Sequence, residues 1–439
     1  MSPSPQNRPR VEAIDGCRSC GSTDLHTFLD LGLMPLSDGL KNADEIDQED
    51  ERFPLEVAFC AACTLVQIRH TVAPEVLFAD DYPYYSSFSD ALIAHSKKNV
   101  DARIDELRLG PDDLAIELAS NDGYLLQHYV ARGVNVQGID PAKGPVEAAR
   151  QKGIPTHHEF FTEAFAEQLA ADGVRASVIH GNNVLAHVAD TNGFVRGIKA
   201  LLAPDGVAVI EVPYLRDLIE HAEFDTIYHE HLCYFSAHAL VELFQRSGLH
   251  LNRVERLSIH GGSLRLFVGH EDDAERSITE LLAEEKALGM TGLDYYRSFT
   301  DKVEAVRDGL RAIVASLRGE GKRIAGYGAA AKGAIMLEYA GLGTGDLAWV
   351  ADRNVHKQGR HMPGNHIPIV SPDRILQDRP DYLLILPWNF KDEIMSQQAE
   401  FAAGGGQFIV PVPKPEILAP APAASPAAAP EPRTTKEAS

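Results

Sequence analysis

From residue 114 onward the chain alternates short apolar runs with helical patterns. That rhythm forces a parallel sheet, because strands running the same way need a crossover helix between them. Leu114-Ala115-Ile116-Glu117-Leu118 reads as the first strand, followed by strands at 134–140, 154–160, 177–180 and 207–212, with a helix starting near Gly123. Two alternating segments, near 250–258 and 263–270 and joined through Ile259-His260-Gly261-Gly262, read as a terminal antiparallel hairpin. An amphipathic stretch over 274–318 then leads into a second strand, Gly-rich turn and helix at 322–333, with more strands at 348–352, 382–386 and 407–410. The predicted fold class is α/β, with two doubly wound Rossmann-like domains preceded by a small zinc-binding domain. The expected boundaries are 11–75 for the zinc-binding domain and 76–273 for the first module with its connector. The second module then takes 274–414, and a disordered tail rich in Pro and Ala takes 415–439. Residues 1–10, polar and Pro-rich, read as disordered as well.

The zinc expectation comes from four of the five cysteines, which form the pairs Cys17-x-x-Cys20 and Cys60-x-x-Cys63. Each pair can offer two thiolates to one tetrahedral ion, and two pairs complete a closed structural Zn site with no open position for chemistry. Disulfides are the alternative, and a cytosolic chain disfavours them. Residues 21–59 between the pairs make a longer insert than common zinc ribbons carry, so the insert must hold structure of its own. Cys233 stands apart and reads as a small packed residue.

The two strand-to-helix turns differ. The first, Glu117-Leu118-Ala119-Ser120-Asn121-Asp122-Gly123, lacks the glycines of the dinucleotide fingerprint. It has an acid at the strand end, small residues at alternate positions and Gly123 where the helix should start. Asp140, closing the second strand, is placed to accept hydrogen bonds from a ribose diol. A ligand with a ribose and an amino-acid tail but no phosphate fits, and S-adenosylmethionine is such a molecule. The second turn, Gly326-x-Gly328-x-x-Ala331, does resemble the fingerprint, and its glycines let backbone amides approach a pyrophosphate at a helix N-terminus. Lys332 adds a cation. NAD and a nucleoside diphosphate sugar both fit there, and a tight turn without ligand is the plain alternative.

Tyr228-His229-Glu230-His231 packs four proton-transfer side chains into four residues. Imidazole is the side chain best suited to moving protons near pH 7, and Tyr and Glu beside it can orient it or share the proton. A polar loop with scattered His is the plain reading. Metal binding is a weaker one, since the two histidines are two apart and the zincin pattern needs four. Asp81-Tyr82-Pro83-Tyr84-Tyr85 concentrates tyrosines ahead of a helix over 89–108, as an aromatic seam between domains or as a lid on a ligand.

The formal net charge of −22 disfavours nucleic acid and anionic membrane surfaces as partners. The first residues lack the apolar core of a signal peptide, and no run reaches the 18 or so apolar residues of a membrane helix. Cytoplasm is the default compartment. Composition leaves the oligomeric state open.

Taken together these segments resemble one family, the sugar-nucleotide C-methyltransferases of deoxysugar pathways, which methylate C-3 of TDP-linked 4-keto sugars, often 3-amino ones. The resemblance runs over about residues 14–413. It is carried by the two Cys pairs, 117–123, Asn182-Asn183-Val184-Leu185-Ala186-His187, Glu211-Val212-Pro213-Tyr214, 223–236, His260-Gly261-Gly262-Ser263-Leu264-Arg265, 327–333 and Asp352-Arg353-Asn354-x-x-Lys357-Gln358-Gly359. Gly181 stands where the family has Ala, and Cys233 where it has Ser. The resemblance implies a zinc-binding N-terminal domain, a central domain for S-adenosylmethionine and a C-terminal domain for the TDP-4-keto deoxysugar. It implies that His231 is the catalytic base, with Tyr228 and Glu230 orienting it or stabilising the enolate; His187, in the loop after the fourth strand, is a second proton-handling candidate or a His that caps that loop, and Tyr82 can close over the sugar. For the cofactor it implies Glu117, Ala119, Ser120, Asn121, Gly123, Asp140, Asn182 and Asn183. For the substrate it implies Tyr214, His229, Arg265, Tyr327, Gly328, Ala330, Lys332, Gly333, Asp352 and Lys357. Two other classes compete: an NAD-dependent sugar-nucleotide oxidoreductase using the second turn, and a zinc-ribbon adaptor with inactive Rossmann modules.

Overall fold

The computed structural model describes residues 10–77 and 85–418. In the N-terminal unit, β1 (Leu25–Pro35), β2 (Arg52–Cys60) and β3 (Val66–Ile68) form an antiparallel sheet. The insert between the cysteine pairs is thus a hairpin whose second strand delivers Cys60 to the turn holding Cys63. The fourth strand of that sheet, Cys233–Tyr234, comes from far downstream and pairs with Val66 and Gln67.

After the connector helix α1 (Asp90–Leu107) come β4 (Leu114–Leu118), β5 (Asn135–Asp140), β6 (Thr156–His158), β7 (Ala176–Asn182), β8 (Leu202–Pro213), β9 (His250–Leu257) and β10 (Ser263–Gly269). They form a seven-stranded sheet in the order β9-β10-β8-β7-β4-β5-β6. Strands β4 to β8 are parallel, and β10 inserts antiparallel between β8 and β9. The order reverses between β4 and β7, which opens a crevice at the carboxyl ends of the strands, where ligands of such sheets bind. Pairing corrects some expected boundaries. The edge strand β6 is shorter than 154–160, because it pairs on one side only. The interior strands β7 and β8 outrun their apolar cores because neighbours on both sides hold their backbone. The helix expected near Gly123 begins only at Leu126. Ala119, Asn121 and Gly123 have φ of 54°, 48° and 77°, left-handed values that no α-helix can contain.

The stretch 274–318 is two helices, α2 (Arg276–Leu288) and α3 (Leu293–Gly319), separated where Gly289 takes the left-handed C-cap. Along α3, Tyr296, Phe299, Val303, Val306, Leu310, Val314 and Leu317 are buried, three or four residues apart, so they form one face. Tyr296 packs on Phe28 and Phe59, with ring centroids 5.4 and 5.0 Å apart, which ties α3 to the N-terminal unit. The C-terminal sheet has β11 (Ile324–Tyr327), then helix α4 (Ala331–Ala340), β12 (Val350–Ala351), β13 (Ile369–Val370), β14 (Tyr382–Ile385), β15 (Gln407–Val410) and β16 (Glu416–Leu418). Its order is β13-β12-β11-β14-β15-β16. Strand β16 pairs antiparallel with β15, so ordered structure continues to 418, four residues into the span expected to be disordered. Among the described residues no helix is long and apolar enough to cross a membrane.

Candidate active site

The two strand-to-helix turns are built alike. In the first, Asp140 closes β5 and accepts hydrogen bonds from the N–H of Asn121 (2.9 Å) and of Ala142 (2.8 Å). In the second, Asp352 follows β12 and accepts from Ala329 N–H and Asn354 N–H, both at 2.7 Å. A strand-end carboxylate thus pins the neighbouring turn in each module. A carboxylate has about four acceptor sites, so each acid keeps capacity for a ligand.

Around the first turn, buried polar atoms collect without partners. Ser120 Oγ, Asn182 Oδ1 and Asn183 Oδ1, at the carboxyl ends of β4 and β7, have no hydrogen bond among the described residues. Left-handed residues other than Gly cost on the order of 1–3 kcal/mol each, and Ala119, Asn121 and Asn183 (φ 53°) all adopt that conformation here. Gly123 has no such freedom to change, since a Cβ there would meet Ile154 Cδ1 at 2.3 Å. Burial pushes the Glu117 carboxyl well above its ordinary range, with the nearby Asp140 and Asp122 charges adding to the effect. Strained backbone and orphaned acceptors at a crevice fit a polar ligand carrying donors, as a ribose diol and an ammonium would. The connector is seated on the same turn. Ser86 N–H donates to Asn121 Oδ1 (2.8 Å), and the Ser87 hydroxyl donates to Asp122. Tyr82 lies outside the described residues.

Around the second turn, α4 begins at Ala331 without a side-chain cap, leaving its first amides for a ligand. Gly328 (φ 86°) lies against Pro387, where a Cβ would fall 2.4 Å from Pro387 Cδ. Lys357 Nζ donates to the Ala329 carbonyl at 2.7 Å. Tyr327 is mostly buried, and its hydroxyl donates to Gln397 Oε1 at 3.4 Å.

The proton-transfer cluster lies between the modules. His231 Nδ1 is 2.7 Å from the Thr226 carbonyl. A carbonyl only accepts, so the neutral ring carries its proton on Nδ1 and its lone pair on Nε2. Tyr228 lies over His231 with centroids 4.0 Å apart, and His187 meets it edge-on at 4.7 Å. Beside them Ala186, Pro213, Leu215 and Leu218 line a small cavity of about 10 Å³, the space of about one water. Burial, and then the Asp38 charge, hold the Glu230 carboxyl well above its ordinary range, with Lys357 opposing. Those two influences place Glu230 within electrostatic reach of both the N-terminal unit and the second turn.

The structure separates several residues that sequence reasoning had grouped with this site. His229 is buried, and its Nε2–H donates to the Phe53 carbonyl of β2 at 3.3 Å. The Tyr214 hydroxyl donates to Glu285 Oε1 at 3.0 Å, inside a helix contact. Arg265 bonds Glu211 (2.8 Å) and Glu255 (3.0 Å), and Glu211 also holds His95 (2.9 Å). Protein partners hold the Tyr214 hydroxyl and the Arg265 guanidinium, whereas His229 keeps a buried Nδ1 with no hydrogen bond among the described residues. Lys332 is likewise drawn away from its turn. Its ammonium donates to Asn389 Oδ1 (3.1 Å), lies 4.5 Å from the Trp388 ring centroid, and faces Asp225 and Glu223. Thr226, Asp225, Asp38 and Trp388 had no signal in the sequence beyond the position of the first two inside 223–236.

Burial also keeps three histidines neutral. It lowers His180 to about 3, and His187 and His229 to about 4, from the ordinary 6.5. Each must gain a proton when the chain unfolds in acid. Their stability contribution is present above pH 6.5 and is lost as pH falls through about 4. Each contributes on the order of 3 kcal/mol at about 1.4 kcal/mol per pH unit. Burial raises the Glu117, Glu223, Asp225 and Glu230 carboxyls and opposes this loss over the same window, so the check is a variant: His187→Gln should make the urea midpoint less sensitive to falling pH between 6.5 and 4.5, and an unchanged pH dependence would refute the assignment.

In the N-terminal unit the four sulfurs of Cys17, Cys20, Cys60 and Cys63 lie within 4.8 Å of one another, and all are free thiols. Gln67 Nε2 donates to Cys17 Sγ at 3.1 Å. Four converging thiols with a neighbouring amide donor fit a zinc ion.

Three family models match the chain in order: a "Putative zinc binding domain" over 17–78, a "Methyltransferase domain" over 95–254 and a "C-methyltransferase C-terminal domain" over 258–413. The chain is 37% identical to C-methyltransferase NovU of Streptomyces niveus over 411 residues, covering 93% of this chain and 98% of that protein. It is 30% identical to a ubiquinone biosynthesis O-methyltransferase of Methylobacterium sp. (strain 4-46) over 107 residues, covering 23% of this chain and 42% of that protein. Among solved structures, the magnesium protoporphyrin IX methyltransferase of Synechocystis PCC 6803 with bound SAM is 16% identical. It covers 42% of this chain and 82% of that one, with a TM-score of 0.31.

Proposed function

The chain belongs to the C-methyltransferase family, and from that premise we propose that it methylates the carbon beside the ketone of a TDP-linked 4-keto deoxysugar, at C-3, with His231 as base. The methyl donor is S-adenosylmethionine, and zinc is a structural ion of the N-terminal domain. Family membership displaces the NAD-dependent oxidoreductase. The observation that carries the mechanism is the hydrogen bond from His231 Nδ1 to the Thr226 carbonyl.

When bound, S-adenosylmethionine supplies an electrophilic methyl group on a sulfonium. The protein must make a carbon nucleophile. A 4-keto group acidifies its neighbouring C–H, because the enolate spreads charge onto oxygen. His231 takes that proton on Nε2, since Nδ1–H is committed to Thr226. Tyr228 holds the imidazole by stacking. Glu230, buried and biased toward its protonated form, can donate to the enolate oxygen. His187, neutral and against His231, excludes water without adding charge. A positioned base contributes about 10²–10⁴-fold, and orientation of the two reactants about 7–11 kcal/mol.

Asp140 holds the ribose, with Glu117, Ala119, Ser120, Asn121, Gly123, Asn182 and Asn183 lining the amino-acid end. Asp140→Asn should weaken S-adenosylhomocysteine binding by about 10- to 100-fold, the loss of about 1.5–3 kcal/mol for a charge-assisted bond. Unchanged affinity would move the cofactor elsewhere. The diphosphate lies on the turn from Gly328 to Gly333 over Ala330, with Lys357 and Asp352 beside it. Titration calorimetry with S-adenosylhomocysteine, TDP and NAD in turn tests both sites. Two independent heats are expected, with none for NAD, and tight NAD binding would favour the oxidoreductase. Product NMR then tests the carbon. A new methyl on C-5, the other carbon beside the ketone, would overturn the C-3 assignment.

A further inference from the structure

The carbonyl that holds His231 belongs to a single 3₁₀ turn, Phe224–Thr226, and that turn is gripped by the C-terminal unit. Asp225 is fully buried, and its Oδ2 accepts from Trp388 Nε1–H at 2.7 Å. Phe224 packs edge-on against Tyr339 of α4, with centroids 5.3 Å apart. Lys332, in the first turn of α4, lies over the Trp388 ring and faces Asp225 and Glu223. Among the described residues the further charged or titratable neighbour is His221, whose Nδ1 is 3.2 Å from Glu223 Oε1. Trp388 itself follows Pro387, against which Gly328 packs.

We propose that Trp388 and Lys332, acting through Asp225, are positioning residues that fix the Thr226 carbonyl and so set which nitrogen of His231 carries the proton. The contacts run from Trp388 to Asp225 Oδ2 and on through the backbone of the turn. Asp225 and Thr226 are adjacent, and the backbone of 223–227 is closed by Thr226 N–H to the Glu223 carbonyl (3.1 Å) and Ile227 N–H to the Phe224 carbonyl (2.9 Å). A shift of Asp225 therefore moves the Thr226 carbonyl. Burying a carboxylate is costly unless it is hydrogen-bonded, and among the described residues only Oδ2 of Asp225 has a side-chain partner, so the turn depends on Trp388 for that bond and on the nearby Lys332 charge. This assigns Lys332 to the base and not to the diphosphate. It also makes the C-terminal module a part of the proton-transfer machinery of the central one. The inference rests on the reading of His231 as base.

Trp388→Phe keeps an aromatic ring beside Lys332 and removes the N–H together with the five-membered half of the indole. Turnover should fall about tenfold, the direction expected for a base presented in a mixed tautomer, while KM and S-adenosylhomocysteine affinity stay within about twofold. Nitrogen-15 imidazole spectra, with His231 assigned by its absence in His231→Asn, should show the Nδ1–H tautomer giving way to a mixture. Asp225→Asn keeps an acceptor oxygen and should recover most of the turnover that Asp225→Leu loses. If Trp388→Phe does not fold, Lys332→Met serves, with the same drop in turnover expected. A rise in KM for the sugar nucleotide at unchanged turnover would return Lys332 to the diphosphate and overturn its role here. An unchanged His231 tautomer in Trp388→Phe overturns the inference whatever the base is. If instead His231→Asn still removes the substrate proton, the base assignment fails, and the tautomer spectra judge the contact separately.

Discussion

A His231→Asn protein should bind both ligands normally and turn over about 10²-fold or more slowly, the loss expected for a missing general base. Asparagine keeps the approximate size and a hydrogen-bonding side chain near the Thr226 carbonyl, so the loop from Tyr228 to Leu232 should keep its path. What disappears is the basic lone pair. The isotope experiment separates chemistry from binding. In deuterated water the wild-type protein should exchange the proton at C-3 of the substrate, including when S-adenosylhomocysteine fills the cofactor site and methyl transfer is impossible. The variant should not. Exchange at the wild-type rate in His231→Asn would mean that another group removes the proton. Tyr228, stacked on the ring, would then be the first candidate. His187 is a poorer one, because burial lowers it to about 4 and makes it a weak base.

Removing zinc should have the largest effect on stability, and it should reach the active site. Structural zinc in small domains contributes about 10–16 kcal/mol of apparent binding energy that is also folding energy. Here the ion would join the Cys17–Cys20 turn to the end of β2 and the turn after it. The sheet it supports takes its last strand from Cys233–Tyr234, two residues after His231. Ile68 N–H donates to the Leu232 carbonyl (3.0 Å), and His229 donates to Phe53 of the same sheet. Chelation, or Cys60→Ser, should therefore unfold the N-terminal unit and lower turnover together, even though a closed four-thiolate site does no chemistry. The check is to follow zinc content, thermal unfolding and turnover during chelator titration. Less than about half an equivalent of zinc in active protein would contradict the assignment, as would full activity after its removal.

The features legible in the sequence were local ones. Paired cysteines two residues apart point to thiolate ligation whatever surrounds them. Apolar runs broken by helical patterns point to a parallel sheet, and acids at 117, 140 and 352 mark strand ends because strand length and turn spacing are short-range properties. Strand limits were less legible, since β7 and β8 extend as far as their neighbours hold them and not as far as their own apolar residues reach.

Side-chain destination was not legible at all. His229 and His231 stand two apart in one loop, yet one donates into the zinc unit and the other to Thr226. The loop's path decides this, and it is pinned by Leu232 contacts to Ala186 and Ile68, both distant in the chain. Tyr214 and Arg265 carry polar groups suited to a ligand, but buried acids at Glu285 and Glu211 take them first. Lys332 follows a turn suited to phosphate, yet its ammonium lies on Asn389 and the Trp388 ring, both distant in the chain. By itself the sequence determined which chemistries this protein can hold, because residue type and spacing set them. The tertiary structure alone decided which groups reach the cleft, because a buried polar side chain goes to whichever partner satisfies it, and those partners come together only when the three units pack.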